Sequence, residues 1–211
     1  MNYELMNNNK VYLSGTVSSE PVLSHETFGE LFYEIKLSVP RLSEHVDLLP
    51  VTVSEKLLKH FELGKHISLK GQLRSYNKIE EEKSKLILSV FAREIVEDED
   101  IANPNVIEIT GFVCKPPIFR TTPFKREICD VLIAVNRAYN KSDYLPCIAW
   151  GRNARFIKDA QIGSKIEIVG RIQSREYQKK LDSGDVETRT AYEISVSHVS
   201  VDSENNVEII G

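Results

Sequence analysis

The sequence predicts an all-β chain of two tandem five-stranded barrels, each with one short helix between its third and fourth strands. Three observations carry that prediction: an internal repeat, period-two alternation of apolar residues in each copy, and one helical stretch at the same place in both. A chain of 211 residues is long for one small domain and comfortable for two of about 100 each.

The repeat comes first. Ser14-Gly15-Thr16-Val17, with Pro21 after it, returns 96 residues later as Thr110-Gly111-Phe112-Val113 with Pro117. At the same shift Leu37-Ser38-Val39-Pro40-Arg41 returns as Ile133-Ala134-Val135-Asn136-Arg137, and Asp47-Leu48-Leu49-Pro50 as Asp143-Tyr144-Leu145-Pro146. The stretch from Leu63 to Gly71 returns as Ile162 to Gly170, now shifted by 99. Ordered blocks at nearly constant shift make a tandem duplication, with domains at 1–102 and 103–211. The hinge is expected in the acidic, proline-bearing stretch from Glu97 to Asn105.

Each copy reads as strands. Ile166, Ile168 and Ile172 share one face of their segment, with Glu167 and Arg171 on the other; Ile67, Leu69 and Leu73 do the same in the first copy. The last strands, Leu86 to Val90 and Tyr192 to Val196, alternate likewise. A helix is expected from Ser54 to Leu63, where Leu57, Leu58 and Phe61 fall at helical spacing before Gly64. A second is expected from Arg152 to Ile162, with Phe156, Ile157 and Ala160 before Gly163. Three strands, a helix and two more strands is the order of the OB barrel, whose exposed face often binds oligonucleotides.

Composition narrows the function. No apolar run reaches the roughly 18 residues a membrane span needs, and Met1-Asn2-Tyr3-Glu4 does not open a secretory signal. Cys114, Cys129 and Cys147 show no C-x-x-C spacing, and the five histidines show no ligand spacing. The expectation is a cytoplasmic protein with no metal, no cofactor and no catalytic constellation. Net charge is −4, but the halves differ. Residues 1–103 carry 12 Lys and Arg against 17 Asp and Glu, whereas residues 104–211 carry 15 against 14. Local field matters more than the total, so the second half is the better partner for phosphates.

The segment from Tyr144 to Trp150 sorts into two faces. Leu145, Cys147 and Ala149 correspond to Leu49, Val51 and Val53, apolar in both copies and therefore core. Tyr144, Pro146, Ile148 and Trp150 correspond to Leu48, Pro50, Thr52 and Ser54. A core position would not accept both Ser54 and Trp150, so this face is expected to look outward. Exposed rings in a nucleic-acid binder stack on bases at about 1–3 kcal/mol each, without needing a sequence. Tyr139 precedes this strand and Tyr177 opens the next hairpin. Around them lie Arg120, Lys125, Arg126, Arg137, Lys141, Arg152, Arg155, Arg171, Arg175, Lys179 and Lys180, cations suited to a phosphate chain. The first copy has Glu80-Glu81-Glu82 in the equivalent hairpin, which repels phosphate.

On the stretches Ile133 to Arg137, Asp143 to Gly151 and Gly170 to Tyr177, which span most of residues 105–201, the second copy resembles the bacterial single-stranded DNA-binding proteins. The resemblance implies that Tyr139, Tyr144, Trp150 and Tyr177 stack on bases. The first copy fits that family weakly, with Leu48 and Ser54 at two stacking sites and Tyr76 displaced from the third. Members usually end in a flexible tail with an acidic, Phe-terminated tip. This sequence runs instead through Asn205-Asn206-Val207-Glu208-Ile209-Ile210-Gly211, so recruitment through such a tail is not expected. The reading that follows is a non-catalytic single-stranded DNA-binding protein of replication, recombination or repair. Its first barrel is expected to be an assembly module through which the chain forms a homodimer, with replication or repair proteins as further partners. A primosome-type adaptor related to primosomal replication protein N, holding DNA weakly, is the alternative that the acidic first half favours.

Overall fold

The computed structural model describes residues 7–80, 83–96, 103–180 and 184–202. In the first copy β1 (Asn9–Val17), β2 (Val22–Thr27), β3 (Glu30–Pro40) and β4 (Val46–Ser54) are followed by β5 (His66–Glu80) and β6 (Lys83–Val96). The second copy repeats them as β7 (Asn105–Val113), β8 (Ile118–Thr121), β9 (Glu127–Asn136) and β10 (Ser142–Trp150), then α1 (Gly151–Ile157), β11 (Lys165–Lys180) and β12 (Val186–Asp202).

Each barrel closes through the same five strands. In the first, β3 runs antiparallel to β1 and β4, β5 lies between β1 and β6, and β6 meets β4 in parallel at Val51 and Val90. The second closes in the same way, with β12 parallel to β10 at Cys147 and Ile194. The short strands β2 and β8 add a ribbon to β3 and β9 outside the five. Alternation fills the interiors: Val11, Leu13 and Val17 of β1 point inward, and Ile107, Ile109 and Val113 of β7 do the same. Taking such side chains out of water contributes roughly 1.5–3 kcal/mol apiece.

The barrels are joined by strand pairing. β1 and β7 run antiparallel, Asn9 opposite Ile109 and Leu13 opposite Asn105, so twelve strands form one continuous sheet among the described residues. Buried Asn9 and Asn105 hold equivalent places. Asn9 gives its side-chain N–H to the Leu73 carbonyl at 2.7 Å and accepts the Leu73 N–H at 2.9 Å. Asn105 repeats both bonds with Ile172 at the same distances. Each amide supplies two ladder bonds, so no buried backbone group of that residue is left unpaired.

Two expectations need correction. The first copy forms only a single 3-10 turn, Leu58–His60, where a helix from Ser54 to Leu63 was expected. Phe61 is drawn into the core directly after it with φ −102° and ψ 64°, outside the helical region, before a costly helix nucleus can propagate. The hinge is also shorter than expected. Asn105 already opens β7, and Pro104 accepts the Ser14 N–H at 2.8 Å, so the connection is fixed to β1 there. Residues 97–102 of that stretch lie outside the described residues, as do Glu81, Glu82 and the side chain of Glu80. The final stretch from Asn205 to Gly211 lies outside them as well.

Candidate nucleic-acid interface

β10 is built on Leu145, Cys147 and Ala149, all buried, and this inward set throws Tyr144 and Trp150 outward, 45% and 39% exposed. Six residues of extended chain place the two rings roughly 20 Å apart along the strand. Ile148, expected on the same outward face, is only 5% exposed: it sits mid-strand between β9 and β12, opposite Asp130 and Ser195. There an aliphatic side chain gains from leaving water.

Tyr139 lies in the turn Ala138–Asn140 that joins β9 to β10. It is 86% exposed with φ 60°, and Asn140 beside it has φ 53°. A bulky residue in the left-handed region costs about 1–2 kcal/mol, here in a turn closed by the Arg137 N–H on the Lys141 carbonyl at 2.7 Å. Tyr177 is 36% exposed on the β11–β12 hairpin, opposite Arg189. Strand periodicity puts Arg175, Tyr177 and Lys179 on one side of that hairpin. Tyr139, Tyr144 and Trp150 thus share one strand and its preceding turn, while Tyr177 stands on a separate arm.

The cations divide by their partners. Arg120 donates twice to Asp130, at 2.8 and 2.9 Å. Arg155 pairs with Glu127 at 2.8 Å, and Arg175 lies 3.6 Å from Glu193. Arg137 donates to the fully buried Asp143 at 3.3 Å, and Arg171 lies 3.6 Å from the fully buried Asp47 while donating to Gln173 at 3.1 Å. Lys125 occupies an exposed turn with φ 58°, Arg152 projects from α1, and Lys179 lies half-buried on the hairpin. Arg126, Lys141 and Lys180 are exposed.

Asp47 and Asp143 join the two barrels beside this face, a placement that spacing along the chain does not reveal. Each is wholly buried, and each reaches across to the other barrel. Asp143 accepts the Ser75 N–H at 2.8 Å and the Arg74 guanidinium at 2.9 Å, both from the first barrel. One residue on, the Tyr144 N–H donates to the Ser75 hydroxyl at 2.7 Å. In mirror fashion Asp47 accepts the Ser174 N–H at 2.7 Å and hydroxyl at 2.9 Å, with Arg41 closing the site at 2.6 and 2.8 Å. Burial pushes the Asp47 carboxyl up, but Arg41 and Ser174 outweigh it and hold the group below the usual carboxylate range. The readable signal was an aspartate at one place in both repeats while the neighbouring outward positions diverged.

Known proteins resemble this chain in sequence over its second half and in fold over nearly its whole length. The description "Single-strand binding protein family" matches residues 104–202. Single-stranded DNA-binding protein 1 of Lactococcus lactis subsp. lactis is 30% identical over 83 residues, 36% of this chain and 55% of its own length. Single-stranded DNA-binding protein B of Bacillus subtilis is 30% identical over 83 residues, 36% of this chain and 74% of its own length. The match thus spans little more than half of the first of these. The wild-type single-stranded DNA binding protein from Thermus aquaticus superposes with a TM-score of 0.68 at 19% identity, covering 96% of this chain and 97% of that one. That likeness extends the tandem OB architecture over nearly the whole chain. On the residues matched and the Bacillus subtilis relative together, the chain belongs to the single-strand binding protein family, a non-enzymatic DNA-binding family.

Proposed function

We propose that this chain binds single-stranded DNA without strong sequence preference, in replication, recombination or repair, through base stacking on the second barrel. The observation that carries the proposal is the set of four exposed rings, Tyr139, Tyr144, Trp150 and Tyr177, all within the family-matched residues. Each ring offers a face that any base can stack on. Phosphates would be met by Lys125, Arg152, Arg175 and Lys179 around the rings, and by Arg120. Arg137 and Arg171, clamped by Asp143 and Asp47, would shape the platform as well as charge it. Counterion release makes such binding salt-sensitive, with a slope of about −0.7 per phosphate neutralised on a single strand.

The first barrel serves in this proposal as the assembly module. It holds the second through β1–β7 pairing and through Ser75 and Arg74, and in this reading it would also carry the contact between two copies of the chain. Free thiols at Cys114, Cys129 and Cys147 fit a reducing cytoplasm. The adaptor reading keeps one support, the excess of acidic residues in the first half. Trp150 is the one tryptophan in the sequence, which makes the test direct. Oligo-dT titrated at low salt should quench its fluorescence strongly, and added salt should reverse the effect. Emission that stays flat into high micromolar DNA would reject DNA stacking at this face and favour the adaptor.

A further inference from the structure

A run of rings crosses the outward face of the first barrel. His25 of β2 stacks on Phe32 of β3, centroids 5.0 Å apart and planes 13° from parallel. Phe32 lies 5.6 Å from Phe91 of β6, tilted by 43°. The Arg93 guanidinium sits 4.7 Å from the centre of the Phe91 ring. Strand register shows what this run replaces. Phe32 is opposite Ser54, and Thr52 is opposite Phe91. In the second barrel the corresponding places hold Ile128 opposite Trp150, and Ile148 opposite Ser195. There one large ring on β10 has aliphatic and small neighbours; here two small hydroxyl residues on β4 are flanked by rings from the strands on either side. The same patch is aromatic in both barrels, with the rings delivered from different strands.

The patch is also continuous with the second barrel. Arg93 donates to the Gln72 side-chain oxygen at 3.1 Å, and Arg74 donates to that same oxygen. Arg74 then meets Asp143 at 2.9 Å, and Asp143 meets Arg137 at 3.3 Å, at the foot of the turn carrying Tyr139. Three guanidiniums therefore line the way from Phe91 to Tyr139. Burial, followed by the like charges of Arg74 and Arg137, lowers the pKa of Arg93. A phosphate lying along this line would relieve that repulsion. Glu30, the carboxylate beside Ser54, is engaged by the Ser54 hydroxyl and by Lys56 at 2.9 Å.

We propose that His25, Phe32 and Phe91 form a second base-stacking subsite for single-stranded nucleic acid, and that Arg93 leads the strand to it from the second barrel. The subsite rests on the DNA-binding proposal and extends the bound strand onto a barrel that has Leu48 and Ser54 at the places of Tyr144 and Trp150. One OB fold covers about 4–16 nucleotides, so oligo-dT of about 10 nucleotides fills the second barrel alone and about 30 nucleotides reaches both.

The test uses the full chain carrying Phe32→Leu and Phe91→Leu together. Leucine keeps an apolar side chain of suitable bulk at small structural cost but removes the π face, so a purely structural role of the rings is rescued and a stacking role is not. Labelled-oligonucleotide anisotropy should show about tenfold or greater weakening for the long oligomer, from roughly 1–3 kcal/mol per stacked base, and under about twofold change for the short one. Arg93→Gln on the exposed surface should weaken the long oligomer in the same selective way and flatten its salt dependence. Long-oligomer affinity unchanged in both variants overturns the subsite. Trp150 quenching by the short oligomer, read on the wild type, judges the second barrel separately: its absence with long-oligomer binding still sensitive to the leucine pair would sink the stacking role of Trp150 and leave the subsite standing. No binding of either oligomer to the wild type overturns both.

Discussion

The Tyr144 backbone N–H is held by a hydroxyl from the other barrel, Ser75, at 2.7 Å. A stacking ring is useful only where its backbone is fixed, because an unplaced side chain gives up rotamer freedom on binding. Ser75 itself is fixed by the Asp143 carboxylate, which accepts its N–H at 2.8 Å. Ser75→Ala removes the acceptor for the Tyr144 N–H, a defect worth about 1–3 kcal/mol when a buried donor is left unpaired. The expected outcome is weaker oligo-dT binding together with faster hydrogen exchange at the Tyr144 amide. Ser75→Thr keeps the hydroxyl and should restore both. Equal exchange and equal affinity in the alanine and threonine variants would remove Ser75 from the positioning role. The thiols show the opposite case, of side chains that only pack: burial pushes Cys129 up to about 11 and raises Cys147 further, so both stay protonated at neutral pH.

At the scale of elements, the long strands β5 and β11 bend at Gly71 and Gly170, where their registers with β6 and β12 shift. A Cβ at Gly170 would run into the Ser195 carbonyl oxygen, and one at Gly71 into that of Phe91. Gly170→Ala should therefore destabilise the chain by roughly 1–3 kcal/mol through overpacking, read as a lower denaturant midpoint at unchanged slope. A variant as stable as the wild type would show that the bend does not need glycine. The barrel strands and most of the β10 faces were legible because they lie along the chain, where period two speaks directly. Tyr144, Leu145, Cys147 and Trp150 fell where alternation put them. What was not legible runs across the strands. Ile148 follows the outward period yet is enclosed by its neighbours, and Phe32 and Phe91 place rings beside Ser54 and Thr52, where β4 itself carries none. Spacing along one strand carries no information about which residue of the next strand lies opposite, so a surface spread over β2, β3, β4 and β6 stays invisible until register is known.

For the whole molecule, the duplication behaves as a two-fold pair closed on itself. Asp47 clamps the second barrel at Ser174, Asp143 clamps the first at Ser75, and β1 pairs with β7 between them. Buried carboxylates pull strongly in such a frame, because removing one partner leaves the other charge uncompensated at a cost of about 3–5 kcal/mol. Asp47 gives the frame a pH dependence of definite sign. Its folded-state pKa lies below the unfolded value, despite burial, because Arg41 and Ser174 favour the charged form. The ionised folded state is therefore favoured above the unfolded carboxylate range near pH 4, and that stabilisation drains as pH falls through the lower folded value. Asp47→Asn keeps the shape and loses the charge, so its deficit against the wild type should be large near neutral pH and should shrink in acid. Thermal unfolding of both proteins from about pH 7 down to about pH 2.5 measures this. A deficit that stays constant across that range would mean the carboxylate holds the barrels by hydrogen-bond geometry alone, and that its charge contributes nothing to keeping the two halves of the platform in register.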